Sequence, residues 1–187
     1  NLMNTIVTSK EAILAECRAI VMEKGISSIN MRSVAAACGV AVGSLYNYFP
    51  SKADLIGAAV EEVWRDIFHM SGTPFAFQSF TDCLAWLFES VQKGCAKYPG
   101  FFTLHSVSFA AGDKDKGRQI MEHYFGHMKM GLLSVLDQDP DIRQDAFNAS
   151  LTKEEFIEFI FTAFTSMLLN GKDDLRPLAE IAARCIY

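Results

Sequence analysis

The 187-residue chain has no run of about 18 or more apolar residues, and no basic start followed by an apolar stretch and a cleavage site. Neither a membrane span nor a secretory leader is therefore expected, and the setting should be soluble and cytoplasmic. Cysteine is sparse: Cys17, Cys38, Cys83, Cys95 and Cys185 are odd in number, scattered and mostly on apolar helical faces, with no CxxC pair. That pattern suits a reducing compartment and excludes a disulfide framework. Also missing are a Gly-x-Ser-x-Gly elbow, a Gly-rich phosphate loop and a His-Glu-x-x-His motif. The Ser, His and Asp residues stand at no spacing that assembles a triad, so no enzyme and no cofactor is expected. His123 and His127 are four apart and could share a metal with Glu122 or His105. Only two of these are convincing ligands, so they read as solvated or core histidines and no metal is expected. Alternating strand patterns, heptads, repeats and low-complexity segments are absent too, which leaves an all-α chain.

What is present is apolar bulk, 50% of the residues, ample for one large domain or two small ones. The net charge of −5 is unevenly spread. Residues 1–57 hold Lys10, Arg18, Lys24, Arg32 and Lys52 against Glu11, Glu16, Glu23 and Asp54, a balance of +1 that leaves −6 for the remainder. A thin basic surplus of this kind predicts modest salt dependence for any phosphate-binding surface.

The most informative stretch runs from Asn30 to Lys52. It reads as a short helix from Met31 to Cys38, a tight turn at Gly39 and a second short helix from Val42 to Phe49, the pattern of a helix-turn-helix. Val34, Ala35, Cys38, Val40 and Leu45 are spaced to pack inward, and the small Ala and Cys side chains allow a close crossing. Arg32, Ser44, Tyr46, Asn47, Tyr48 and Lys52 face outward, and each can donate a hydrogen bond to phosphate or base edges. Ser51 and Asp54 make a capping-box variant, which sets Lys52 beside helix-start amides where a phosphate can sit.

The run Val34-Ala35…Cys38-Gly39-Val40…Gly43-Ser44-Leu45-Tyr46-Asn47-Tyr48-Phe49-Pro50-Ser51-Lys52-Ala53-Asp54-Leu55 resembles the DNA-binding domain of the TetR family of one-component transcriptional regulators. The resemblance covers residues 8–58. It implies that Arg32 reaches a base, that Ser44, Tyr46, Tyr48 and Lys52 contact phosphates, and that Val42, Gly43 and Asn47 face the groove. Ala41 departs from the pattern, since the family often has a capping Ser there. Such a loss costs about 0.5–2 kcal/mol and puts one phosphate contact in doubt.

Around this stretch, residues 1–7 carry no capping or periodic signal and read as a tail. Thr8 to Glu11 forms a capping box for a first helix that Gly25 ends, and Asn30 caps the second. A long connector is expected from Lys52 to Met70, broken by Ser71 to Pro74. Further helices are expected from Phe80 to about Tyr98, over 101–111, and from the turn at 112–117 to about Leu136. After a polar loop, the capping box Thr152/Glu155 opens a helix apolar on nearly every side, with Leu151 and Phe156 as a hydrophobic staple, and a last helix runs from Leu175 to Tyr187. The expected architecture is therefore an all-α chain of about nine helices. Residues 1–58 form a three-helix DNA-binding domain and residues 59–187 a helical effector-binding and dimerisation domain.

Aromatic and Met side chains usually line adaptable apolar pockets, and polar groups on apolar helices point to a ligand. On that basis Trp64, Trp86, His105, Phe109, Met121, Tyr124, Phe125, Met128, Phe161 and Thr165 are the candidate effector contacts. A void between Trp64, Trp86 and Tyr124 would favour a ligand sensor, and a filled core would favour control by a protein partner. The resemblance implies that the last two helices pair with those of a second copy, through Phe156, Ile160, Ala163, Phe164, Met167, Leu178 and Ile181. The expected function is a homodimeric repressor on a palindromic operator in double-stranded DNA, released by a small apolar or aromatic effector. The alternative is a regulator without such an effector, controlled by a protein.

Overall fold

The computed structural model of the chain describes residues 8–70, 77–102 and 114–187, the side chains at positions 70, 114–118 and 121 excepted. The expected tail at 1–7, the break at 71–74 and the body of the helix expected over 101–111 lie outside the described residues. Among the described residues there are eight α-helices, a short 3-10 turn and no strand beyond an isolated bridge between Asn148 and Leu151. The helices are α1 (Lys10–Lys24), α2 (Met31–Cys38), α3 (Val42–Tyr46), α4 (Lys52–Met70), α5 (Phe80–Lys97), α6 (Lys114–Gln138), α7 (Lys153–Leu169) and α8 (Arg176–Ile186). They group into two compact units, one from residues 1–66 and 95–121, the other from 67–94 and 122–187, so α4, α5 and α6 each contribute to both.

In the first unit, α1 is capped by Ser9, whose hydroxyl accepts from the Ala12 amide at 3.1 Å. The cap is thus one residue after Thr8, because Ser9 is the last residue with extended backbone. Ile13, Cys17 and Val21 bury one face of α1. Burial of the Cys17 thiol pushes its pKa up to about 12, which makes it an inert core residue. Glu62 of α4 takes Arg18 of α1 at 2.9 Å and Arg65 at 2.8 Å. Trp64, 1% exposed, stands edge-on to Phe101 and Phe102, with ring centroids 5.6 and 5.0 Å away. Beside it, Asp66 accepts from Lys97 Nζ at 2.8 Å and from the Tyr98 hydroxyl.

In the second unit, α5 presents Phe80, Leu84, Phe88 and Val91 to the core at the expected spacing. Phe156 packs between Phe80 and Phe147, and Phe164 stacks on Phe88 with centroids 4.9 Å apart. The Thr152/Glu155 capping box is present in full. The last carbonyls of α8 are met from outside the helix: Arg143 donates its amide to Ile186 and its guanidinium to Cys185, both at 2.8 Å. Gly94 is the closest approach in this unit, because a Cβ there would lie 2.8 Å from both Cδ1 and Cγ1 of Ile67. Gly94→Val is therefore expected to cost about 2–3 kcal/mol by overpacking, lowering Tm by about 5–10 °C in a thermal melt.

Candidate functional site

The helix-turn-helix is built in the first unit by a few local contacts. The Asn30 side chain accepts from the amides of Arg32 (3.0 Å) and Ser33 (2.9 Å), and the Ser33 hydroxyl donates to the Ser28 carbonyl at 2.8 Å. This double tie fixes where α2 begins. Gly39 ends it in the left-handed region, φ 66°, and its amide and that of Val40 close onto carbonyls of the last turn. Ala41 holds extended backbone with no side-chain cap, yet its carbonyl still receives the Ser44 amide at 2.9 Å. The absent Ser hydroxyl is thus missing from the start of α3 without displacing the helix.

The α-helix ends at Tyr46, three residues before the expected stop. Tyr48 and Phe49 both donate their amides to the Leu45 carbonyl at 2.9 Å in a tightened final turn. Pro50 accounts for this, since a residue before proline is pushed away from helical geometry. Leu45 and Phe49 are buried beneath, at 0% and 3% exposure, and Val34 and Ala35 anchor α2. That burial turns Arg32, Val42, Gly43, Tyr46, Asn47, Tyr48 and Lys52 outward, all exposed, with Ser44 half-buried among them. All eight residues singled out from the sequence therefore lie on this one element and its flank. Tyr48 differs from the rest, because its hydroxyl donates to the Thr8 carbonyl at 2.6 Å and so has no proton left to offer a phosphate. That donated proton ties the start of α1 to the reading head instead.

The second unit holds a cavity of about 640 Å³. Phe68, Phe77, Trp86, Tyr124 and Met128 form much of its wall, Cys83, Leu87, Leu132 and Val135 the remainder, and Gln78, Ser79, His127, Ser134, Gln138 and Asp139 its polar lining. Of the effector contacts expected from sequence, Trp86, Tyr124 and Met128 line it. Trp64 is packed in the first unit, and Phe125 and Phe161 meet edge to face with centroids 5.1 Å apart. Thr165 donates its hydroxyl back to the carbonyls of Phe161 and Thr162, at 3.0 Å each. His105, Phe109 and the Met121 side chain lie outside the described residues. The polar lining had no sequence signal beyond ordinary loop or helix-surface character.

Asp139 is the most constrained of these groups. It is 9% exposed and accepts from the Phe80 amide at 2.7 Å, the Asp141 amide at 3.0 Å and the Tyr187 hydroxyl. Burial alone would raise its pKa, but these hydrogen bonds outweigh it and hold the carboxyl below its ordinary value. His123 and His127 stand edge-on with centroids 4.5 Å apart, and no group of three or more metal-ligating side chains occurs among the described residues.

On α7 and α8, Phe156, Ile160, Phe164 and Leu178 are at most 5% exposed, all within the second unit, so they have no surface left for a partner chain. The resemblance implies a pairing role for them, and on a helix apolar nearly all round, periodicity does not separate the inner face from the outer one. Ala163 and Met167 are half-buried, whereas Phe159 and Ile181 are 64% and 53% exposed. The exposed large apolar side chains of these two helices are therefore Phe159, Leu169 and Ile181.

A helix-turn-helix with its polar face outward, on an otherwise helical chain, has the form of a DNA-reading element. Residues 13–59 match the model of the family described as bacterial regulatory proteins, tetR family. Over 51 residues the chain is 43% identical to the HTH-type transcriptional repressor KstR of Mycolicibacterium smegmatis, covering 27% of this chain and 25% of the relative. The KstR of Mycobacterium tuberculosis is also 43% identical, with 27% and 23% covered. The match thus spans about a quarter of the length of these curated relatives. Nearly the whole chain shares its fold with the multidrug binding protein EbrR, solved in complex with imidazole: TM-score 0.60, 18% identity, 94% of this chain and 88% of that one. Among the described residues, no helix is long and apolar enough to cross a membrane.

Proposed function

We propose that the protein is a homodimeric transcriptional repressor that reads a palindromic operator with α2 and α3 and is released by a small apolar or aromatic effector held in the second unit. The observation that carries the effector half is the cavity: about 640 Å³, with aromatic walls and a few polar groups, is the size and character of a small-molecule site. A filled core there would have favoured control by a protein partner. The repressor sign follows KstR, and the adaptable aromatic wall is in keeping with a fold shared with a multidrug binding protein.

Two recognition helices held about 34–36 Å apart, one turn of B-DNA, fit a palindromic site. The exposed Phe159 and Ile181, with the half-buried Ala163, supply apolar surface for the second copy. α4 supplies the link to the reading head, since one continuous helix carries Lys52 at its start and Phe68, a cavity residue, near its end. An effector that prefers one setting of that helix shifts the population of dimers with the right spacing. A preference of about 1–3 kcal/mol is enough for a useful response.

Selection from a random duplex pool is expected to enrich an inverted repeat, and the purified protein should sediment as a dimer. Enrichment of a single asymmetric site by a monomer would refute the reading.

A further inference from the structure

The cavity has a charge character as well as a shape. Phe68, Trp86 and Phe77 make a three-ring wall, with Phe68 stacked on Trp86 at 6.0 Å and Phe77 tilted against it at 5.7 Å. Tyr124 supplies a fourth aromatic ring to the lining. Ring faces are negative, and a cation within about 6 Å of a ring centroid is attracted to them, most strongly when desolvated. Among the described residues of the lining there is one carboxylate, Asp139, and no Lys or Arg. The Asp139 oxygens already accept from two amides and a phenol, so the group stays fixed and ionised. The Phe80 amide opens α5, and that helix end offsets part of the charge. No Lys or Arg among the described residues of the lining offsets the rest. The other polar lining groups, Gln78, Ser79, Ser134 and Gln138, are neutral, and His127 lies exposed. A ligand carboxylate or phosphate entering here would find no lysine or arginine to pair with, and an unpaired buried anion is strongly disfavoured.

We infer that the cavity selects flat aromatic cations over neutral and anionic compounds of the same size, with the Phe68, Phe77 and Trp86 rings holding the π-system and Asp139 supplying the counter-charge. This rests on reading the cavity as the effector site. Three probes with a shared three-ring outline separate the possibilities: proflavine (cation), 9-anthracenemethanol (neutral) and 9-anthracenecarboxylate (anion). Equilibrium dialysis against the full chain at about 0.15 M salt suppresses attraction to the overall net charge. The expected order is proflavine about tenfold tighter than the alcohol, and the carboxylate about tenfold weaker.

Ser134 lines the cavity and is exposed, so substituting it leaves the core intact. Ser134→Lys should weaken proflavine about tenfold and narrow its lead over the carboxylate, while Ser134→Gln should preserve the order. If the alcohol or the carboxylate binds as tightly as proflavine, the charge preference is overturned and the effector site survives. Proflavine binding that Ser134→Lys leaves untouched would put the cation elsewhere and overturn the assignment. If none of the three binds, both the preference and the effector reading fall.

Discussion

Arg32→Ala is expected to abolish discrimination between the selected operator and unrelated duplex while leaving residual binding to both. Arg32 is exposed on the first turn of α2, a turn fixed by the Asn30 and Ser33 capping bonds. The side chain is long and mobile, but its point of departure is rigid. One specific base contact carries about 1–3 kcal/mol, and a dimer uses it twice, so the expected loss is about 2–6 kcal/mol, or roughly 30-fold to 10⁴-fold on the operator alone. Lys52→Ala should behave differently, weakening all sequences alike. Its position at the start of α4 suits a phosphate, and each phosphate contact removed should flatten the log–log salt dependence by about 0.9. A gel-shift titration across several salt concentrations separates the two signatures. Operator discrimination and salt slope both unchanged would remove these residues from the interface.

The reading head was legible because its chemistry is local. Caps, turn glycine and outward polar residues all fall within Asn30 to Lys52, and helix spacing decides which side chains are covered. The one shift there, the early end of α3, also has a local cause in Pro50. The Thr152/Glu155 box was legible for the same reason, with donor and acceptor three residues apart. The second unit was less so, because its decisive contacts are distant in sequence: Asp139 meets Phe80 and Tyr187 across 59 and 48 positions. An aspartate in a polar loop carries no sign that it will be buried. α7 failed for a different reason. When Phe156, Phe159, Ile160 and Phe164 are all apolar, periodicity cannot say that Phe159 alone of the four faces outward. Aromatic content likewise suggested a cavity without locating it, so Trp64 and Trp86 looked equivalent although one is core of the first unit and the other lines the void of the second.

Asp139→Ala should be the most destabilising single change in the second unit. It removes the acceptor for the Phe80 amide at the start of α5, for the Asp141 amide and for the Tyr187 hydroxyl after the end of α8. Hydrogen bonds to a charged group each contribute about 1.5–3 kcal/mol, and buried donors left without a partner keep their full desolvation cost. The sum exceeds what relaxation and water entry allow, so the expected loss is about 3–5 kcal/mol, or roughly 10 °C in Tm for a chain of this size. Tyr187→Phe removes one donor only and should cost about 1 kcal/mol. The same carboxylate links stability to pH on the acid side. Its pKa is held below the unfolded value of about 3.9, as is that of Asp66, where burial raises it but hydrogen bonds from Lys97 and Tyr98 prevail. A depressed folded pKa stabilises fully above the unfolded value and loses that contribution as pH falls through the folded one. Stability from denaturant melts should therefore be level with respect to these two groups above about pH 5 and decline below about pH 4. In Asp139→Asn that decline should be shallower, since one of the two linked carboxyls is gone. An equally steep loss in wild type and variant would assign acid unfolding to other groups and deny Asp139 its place as the anchor that joins the start of α5 to the end of the chain.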